Sequence, residues 1–446
     1  MTRHRPAVLF GLLVLAAWSA VALVDAWLFR SQVGFDFYQF WGIALAHAQL
    51  PGGNPYASPE PYASVLNAMG AGSPSARLHM MNGFRPSLQP LGTPFFYPWF
   101  AVLPRSYDAA LGVFGVLQHV AVAGAALLLW RARRLTVASA LLAAALAELT
   151  FNPFVQDVKL GNVNSLQLLA MAAMVCTSVA NLERRSVPLD FALGALAVAL
   201  VAFKPNTPWI ALALAVHVTA ARGLRGLGGV AAGGGIAGLA ALALGAAYFG
   251  GWNAWTDWLA YARRIEGGGT LSEGNLSLAL MVAHGPGAQR MVQGVCLVLA
   301  LFAAAAFAVA SAMGSRRDAV MPALCKAARD PGFAISCAVV LTFATYPLVW
   351  AHYHVWALLP MLWLVRAPAK WNGTTLAIIF SYAAFSRPVL QLCAAVDATQ
   401  VLALLVTFAW LPLVAALLLE LRDKRDEAIS PTEAIAQPVG GVPSGR

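Results

Sequence analysis

The amino-acid sequence predicts an all-α polytopic membrane protein. Of its 446 residues, 60% are hydrophobic, and the mean hydropathy is +0.69. Charged residues make up 11% of the chain, less than half of the roughly 25% usual in soluble domains. A soluble domain could not bury so much apolar surface, so the composition excludes that class.

The apolar segments are numerous enough for about twelve transmembrane helices, since one span needs roughly 20 apolar residues. The predicted spans are 7–29, 106–130, 135–151, 161–181, 187–203, 205–221, 226–249, 290–313, 332–350, 352–366, 372–391 and 399–420. Residues 92–104 are apolar but interrupted by prolines. They predict a re-entrant or interfacial element, which membrane proteins tolerate where the backbone lines a cavity.

The basic residues predict the orientation of these spans. Most of the 29 lysines and arginines fall in alternate loops, most clearly in Arg131-Ala132-Arg133-Arg134 and Arg222-Gly223-Leu224-Arg225. Basic loops stay in the cytoplasm, so both termini are predicted to be cytoplasmic. The net charge of +10 then follows from topology and contact with membrane lipids, and no nucleic-acid partner is needed to explain it.

This topology predicts one membrane domain over residues 1–425. Its long loops, at about 30–105 and 250–289, face outward together with most of the polar motifs. Residues 426–446 are rich in Pro, Gly and Ser and predict a disordered cytoplasmic tail.

Asp36 is the candidate catalytic residue. It lies in Phe35-Asp36-Phe37-Tyr38-Gln39-Phe40-Trp41, just beyond the first span. A carboxylate among aromatic rings at a membrane surface is poorly solvated, and burying it unpaired is costly. Such an acid is either paired or used for chemistry.

Aromatic and amide motifs follow in the outer loops. Gly53-Asn54-Pro55-Tyr56 contains a turn signal, and Phe95-Phe96-Tyr97-Pro98 suits the membrane interface. An interfacial belt explains these aromatic residues equally well. The stretch Lys159-Leu160-Gly161-Asn162-Val163-Asn164 places amides and a lysine at a helix start, which favours anions. A helix cap with a snorkelling lysine is the alternative.

Two further groups of basic residues face outward in this topology. Lys204-Pro205-Asn206 joins two spans, and a lysine at that depth is expensive unless it faces a cavity or an anion. Arg263 and Arg264 follow the Trp- and Tyr-rich stretch 252–261. They suit either a phosphate at headgroup depth or a helix anchored on the membrane surface.

The histidines and cysteines predict neither a metal site nor another cofactor. His352 and His354 are two residues apart and are not neighbours on a helix, and no cluster supplies further ligands. They are expected to bind a substrate or a carboxylate such as Asp36, or to lie at the interface. The five cysteines have no metal-type spacing.

In their order along the chain, these motifs resemble glycosyltransferase family 87. The resemblance rests on Asp36-Phe37, Gly53–Tyr56, Phe95–Pro98, Leu103-Pro104, Gly161–Asn164, Lys204-Pro205, Asn275-Leu276-Ser277-Leu278, His352–His354 and Leu359-Pro360. The chain has Gly161-Asn162 where the family pattern has Gly-Gln, and residues 57–91 form an insert.

The resemblance implies a bacterial GT-C-type glycosyltransferase, similar to the polyprenol-phosphate-mannose-dependent mannosyltransferases. The donor would be a polyprenyl-phosphate sugar, the acceptor a lipid or glycan, and the site would face the periplasmic side of the inner membrane. Asp36 would be the general base of an inverting transfer. The implied substrate-binding residues are Tyr38, Asn54, Tyr56, Lys159, Asn162, Asn164, Lys204, Arg263, Arg264, Asn275, His352 and His354.

Two other classes remain open on the sequence. A secondary transporter would carry polar residues deep in its spans and broken helices at matching positions. A lipid-linked glycan polymerase or ligase would share the outer-face site but use a diphosphate-linked oligosaccharide.

Overall fold

A computed structural model describes residues 34–84, 88–133, 137–268, 291, 320–346, 349–365, 372–395 and 408–429. Across these ranges the chain is helical and contains no strand, apart from an isolated bridge between Phe151 and Ser386. The predicted span 7–29 lies outside the described residues, as does 290–313 except for Met291.

The described helices are numbered here in chain order. They are α1 Phe35–His47, α2 Glu60–Ala71, α3 Ala76–Phe84, α4 Tyr107–Ala132, α5 Val137–Thr150, α6 Asn152–Leu160, α7 Asn164–Arg184, α8 Val187–Phe203, α9 Pro208–Tyr248, α10 Asn253–Gly268, α11 Val320–Ala328, α12 Pro331–Thr345, α13 Leu358–Leu364, α14 Gly373–Phe385, α15 Arg387–Ala395 and α16 Leu411–Ile429. Two 3₁₀ helices, Tyr97–Trp99 and Ala351–Ala357, lie between them.

Three of these helices, α4, α7 and α9, are long and apolar enough to cross a membrane, and several shorter apolar helices accompany them. Helix α9 has 41 residues and contains a break at Gly223, with φ 68° and ψ −167°. The break separates the two predicted spans 205–221 and 226–249. The all-α membrane class is confirmed, and the number of about twelve spans stays a prediction from helix length.

Two predicted spans are interrupted in the structure. Within the predicted span 352–366, the described residues form the 3₁₀ helix Ala351–Ala357 and the seven-residue α13 instead of one long α-helix. The 3₁₀ segment is held by a tertiary contact, since the indole of Trp356 donates to the carbonyl of Asn164 at 3.1 Å. The span 372–391 is divided at Ser386, where the backbone is extended and pairs with Phe151.

The helices bury two large apolar clusters. One fills the membrane bundle, where Met171, Leu214 and Val339 are fully buried. The other is aromatic and surrounds α1, where the Phe37 ring lies 5.1 Å from that of Phe114 in α4. The aromatic cluster therefore fixes the first turn of α1, which carries Asp36, against the start of the α4 membrane helix.

Residues predicted to share the cytoplasmic side contact one another. Arg222 and Asp190 form an ion pair at 2.8 Å, and Lys424 and Asp330 form one at 3.1 Å. The last helix, Leu411–Ile429, continues four residues beyond the predicted domain boundary at 425. These contacts support a common side for those loops.

Candidate active site

A cavity of about 320 Å³ lies where the predicted outer segments meet. It brings together four residues that the sequence analysis selected separately, namely Asp36, Asn162, Lys204 and His352. The rest of its lining is mainly aromatic and apolar and comes from Phe35, Phe40, Gln89, Pro90, Leu91, Gly92, Phe96, Leu160, Pro205, Asn206, Trp258, Tyr261, Ala262, Tyr346, Trp350 and Tyr353. Gly92 and Phe96 belong to the Pro-interrupted segment, so this irregular backbone lines a cavity.

Asp36 lies in the first turn of α1 and its side chain is 20% exposed. The side-chain amide of Asn162 donates to its Oδ2 at 2.6 Å. His352 Nε2 is 3.9 Å from the same oxygen. The carboxylate is therefore held in place yet remains open to the cavity.

The turn at Gly161 brings Asn162 to Asp36. Gly161 ends α6 in the left-handed region, with φ 64° and ψ 42°. A β-carbon at Gly161 would lie 2.4 Å from the β-carbon of Phe37. Only glycine allows both this conformation and this approach, which explains the Gly-Asn pair in physical terms.

Lys204 follows the end of α8 and links the side-chain amides of Asn162 and Asn164. Its Nζ donates to Asn162 Oδ1 at 2.9 Å and to Asn164 Oδ1 at 3.3 Å. It also lies 4.4 Å from the centre of the Tyr353 ring. Burial lowers the pKa of Lys204 to about 8, while Asp36 and Asp157 act to raise it. The side chain is thus a cation at neutral pH.

Asp157 is a component of the site that the sequence analysis missed. It is fully buried in α6 and accepts hydrogen bonds from the Ser165 backbone at 2.9 Å and from Asn164 Nδ2 at 2.8 Å. Burial raises its pKa to about 6, and the bonds from Ser165 and Asn164 act to lower it. Asp157 orients Asn164, which in turn accepts from Lys204. The available signal was an acid in the amphipathic stretch before Gly161.

The two predicted histidines have different surroundings. His352 lines the cavity, and its Nε2 lies 3.2 Å from Asn162 Nδ2. Burial lowers the pKa of His352 well below its usual value, and the Lys204 charge acts in the same direction, so the ring is neutral. His354 packs behind the cavity between the rings of Phe343 and Phe385, at 4.6 and 5.0 Å.

Three predicted binding residues hold the outer segments together instead of lining the cavity. Tyr38 donates its hydroxyl to Asn82 at 2.6 Å. Tyr56 donates to the carbonyl of Gly92, a lining residue, at 2.7 Å. Asn54 donates to Asp257 of α10 at 2.7 Å. Of these contacts, the bond from Tyr56 holds a lining residue directly, and the other two connect segments outside the lining.

The remaining predicted residues lie near its edge or beyond it. Arg263 and Arg264 are exposed on α10, directly after Trp258, Tyr261 and Ala262, which line the cavity. Arg264 lies 5.8 Å from the Tyr261 ring. Lys159 is half-buried in α6 and does not belong to the lining. Asn275 lies outside the described residues.

The cavity thus combines a carboxylate, a cation and a neutral imidazole connected through one amide. A carboxylate of this kind can accept a proton, and the cation can bind an anion. Within the described ranges, no group of three or more His, Cys, Asp or Glu residues is placed to hold a metal ion.

The model of glycosyltransferase family 87 matches residues 89–329, which is more than half of the chain. The matched range includes Asn162 and Lys204, whereas Asp36 and His352 lie on either side of it. No curated protein and no solved structure matches the chain.

Proposed function

The chain belongs to glycosyltransferase family 87. We propose that it transfers a hexose, namely mannose, from a polyprenyl-phosphate donor to a lipid or glycan acceptor. The observation that carries this proposal is the cavity in which Asp36 and Lys204 contact the same amide, that of Asn162. A base and an anion-binding cation are the two groups that transfer from a phosphate-linked sugar requires.

Asp36 is the general base. The acceptor hydroxyl attacks the anomeric carbon, the bond from that carbon to the phosphate oxygen breaks, and the phosphate leaves with the electron pair. Asp36 takes the hydroxyl proton as the new bond forms. A single displacement inverts the anomeric configuration and needs no covalent intermediate, so one carboxylate suffices.

Lys204 stabilises the phosphate as it leaves. Its ammonium lies at the wall of a cavity that is mostly aromatic and apolar, where a charge acts more strongly than in water. Arg263 and Arg264, exposed on α10 beside the lining residues, add positive charge at the edge. His352 stays neutral and helps to position Asn162 against Asp36.

A lipid-linked donor suits the membrane class of the chain, since the carrier already lies in the bilayer. Segments predicted to face outward meet at the cavity, and segments predicted to be cytoplasmic contact one another elsewhere. This grouping supports a site on the periplasmic face of a bacterial inner membrane, with both termini in the cytoplasm.

The proposal is tested by reconstituting the purified chain in bilayers with a labelled polyprenyl-phosphate hexose and a membrane lipid extract. Transfer of label to a lipid or glycan, with inversion at the anomeric carbon, is expected. Transfer only from a diphosphate-linked oligosaccharide would indicate a polymerase or ligase. Substrate flux without transfer would indicate a transporter. Either result would overturn the proposal.

A further inference from the structure

Asn206 has an unused hydrogen-bond donor at the cavity. The side chain is 1% exposed and lines the cavity two residues after Lys204. Its Oδ1 accepts from Gln167 Nε2 at 3.0 Å. Its Nδ2 has no hydrogen-bond partner among the residues that the structure describes. A buried amide without a partner is unfavourable, so this group is suited to binding a ligand.

We propose that Asn206 is a donor-binding residue whose amide donates to a phosphate oxygen of the lipid carrier. This inference rests on the proposed function and adds the position of the phosphate within the site. Because Gln167 occupies the amide oxygen, the unused group is a donor and requires an acceptor. A phosphate offers acceptor oxygens in several directions and carries the charge that Lys204 complements.

The backbone after Asn206 favours the same ligand. Helix α9 begins at Pro208, directly beyond the turn that carries Lys204 and Asn206. The first turn of a helix carries the positive end of the helix dipole; in α9 the N–H of Ile210 already donates to the carbonyl of Thr207 at 3.1 Å and Pro208 has no N–H. The turn therefore places a cation, an unpaired amide and a helix start next to one another, and all three favour an anion.

An apolar groove lies next to the cavity at this point, and two side-chain contacts form the boundary between them. It has a volume of about 170 Å³ and lies between the segment at Phe95 and Trp99 and helices α7 and α8. Gln167, which lines the groove, donates to Asn206 in the cavity. Phe203 also lines the groove, and its ring lies 4.6 Å from that of Phe96 in the cavity.

The groove sets the direction in which the donor lies in the site. Apart from Gln167 its lining is hydrophobic, and an isoprenoid tail has no polar group that such a lining would leave unpaired. With the tail in the groove, the phosphate lies at Asn206 and Lys204, and the sugar extends into the cavity toward Asp36. Gln167 acts as a positioning residue because it holds the amide of Asn206.

The test compares Asn206→Leu and Asn206→Asp with the wild type in the reconstituted transfer assay. It measures the donor KM, kcat, and the inhibition constant of sugar-free polyprenyl phosphate. Asn67→Leu is the matched control, since Asn67 is exposed on α2 and does not line the cavity. Asn206→Asp keeps the size of the side chain and the acceptor for Gln167, so it remains informative if Asn206→Leu does not fold.

Asn206→Leu is expected to raise both the donor KM and the inhibition constant about tenfold or more, as for the loss of a hydrogen bond to a charged group. Asn206→Asp is expected to raise them further because a carboxylate repels phosphate. Inorganic phosphate is expected to compete far less than the lipid because it lacks the tail.

An unchanged inhibition constant in Asn206→Asp would overturn the inference. A raised donor KM with wild-type inhibition by the sugar-free lipid would overturn it too, since the contact would then be to the sugar. Equal competition by inorganic phosphate would exclude the lipid carrier as the ligand. If the proposed function itself is wrong, the wild type transfers no sugar. The assay therefore distinguishes a failure of this inference from a failure of the proposed function.

Discussion

Asn162 and Asp36 are 126 positions apart in the chain, yet Asn162 Nδ2 donates to Asp36 Oδ2 at 2.6 Å. The other end of the same amide accepts from Lys204 at 2.9 Å. One side chain therefore connects the proposed base to the proposed phosphate-binding cation. A displacement of this amide would alter both groups together, so the distance between base and cation depends on the turn at Gly161.

Replacing Asp36 with Asn is expected to reduce kcat for sugar transfer about 10²–10⁴-fold, the usual contribution of general-base catalysis. The substitution keeps the shape of the side chain but removes the proton acceptor. The donor KM should change little. Initial rates with a polyprenyl-phosphate hexose measure both parameters. Asp108→Asn is the control because that acid is 47% exposed and pairs with Arg77 at the surface, where ion pairs contribute little. Wild-type kcat in Asp36→Asn would exclude Asp36 as the base.

An individual apolar helix can be predicted from the sequence because hydropathy and bilayer thickness act over a single segment. Val187–Phe203 has the bounds predicted from its apolar run. The first half of the predicted span 352–366 is a 3₁₀ helix and not an α-helix, because His352 contacts Asn162 and Trp356 contacts Asn164, both far away in the chain, and these contacts override local hydropathy. Tertiary pairing is not visible in a hydropathy pattern.

The difference between signals within one segment and signals from tertiary contacts also applies to the active site. Asp36 and Lys204 could be selected because charges near a membrane are costly wherever they lie. Asp157 was missed because its role depends on the left-handed turn at Gly161 that folds Asn164 and Ser165 back onto it. Asn206, in the turn between α8 and α9, likewise acquires its role from Gln167 in α7.

Replacing Gly161 with Ala is expected to destabilise the protein by roughly 1–3 kcal/mol, the usual effect of overpacking a core. The new methyl group would meet Phe37, and φ of 64° is unfavourable for alanine. Transfer should fall as well, because Asn162 would move away from Asp36. Thermal unfolding and initial rates measure the two effects. Gly112→Ala is the matched control, since a β-carbon there meets no atom within 4 Å. Equal stability of the two variants would contradict the packing argument.

Replacing Asp157 with Asn is expected to change how stability depends on pH. Burial raises the pKa of Asp157 from 3.8 to about 6 in the folded chain. A raised pKa means that ionisation opposes folding, so this contribution is present below pH 3.8 and is lost as the pH rises to about 6. The wild type should therefore lose stability relative to Asp157→Asn across that interval. Thermal unfolding of both proteins at several pH values measures the difference, and a constant difference would contradict the assignment.

Transfer is expected to decline as the pH rises above about 8, because burial lowers the pKa of Lys204 to about 8. The ammonium is present below that pH and is lost above it, and with it the charge that binds the phosphate. The decline should appear in kcat/KM, which reports the free enzyme. The corresponding decline in kcat should occur at a higher pH, since bound phosphate stabilises the protonated lysine.

The variant Lys204→Arg tests whether the titration of Lys204 causes the alkaline decline. Arginine stays protonated at every accessible pH, so the alkaline decline in kcat/KM should disappear, even though altered contacts with Asn162 lower the rate itself. Lys159→Met should keep the wild-type profile, because Lys159 does not line the cavity. An unchanged decline in Lys204→Arg would assign the titration to another group, and loss of the decline in Lys159→Met would move the phosphate-binding charge to α6.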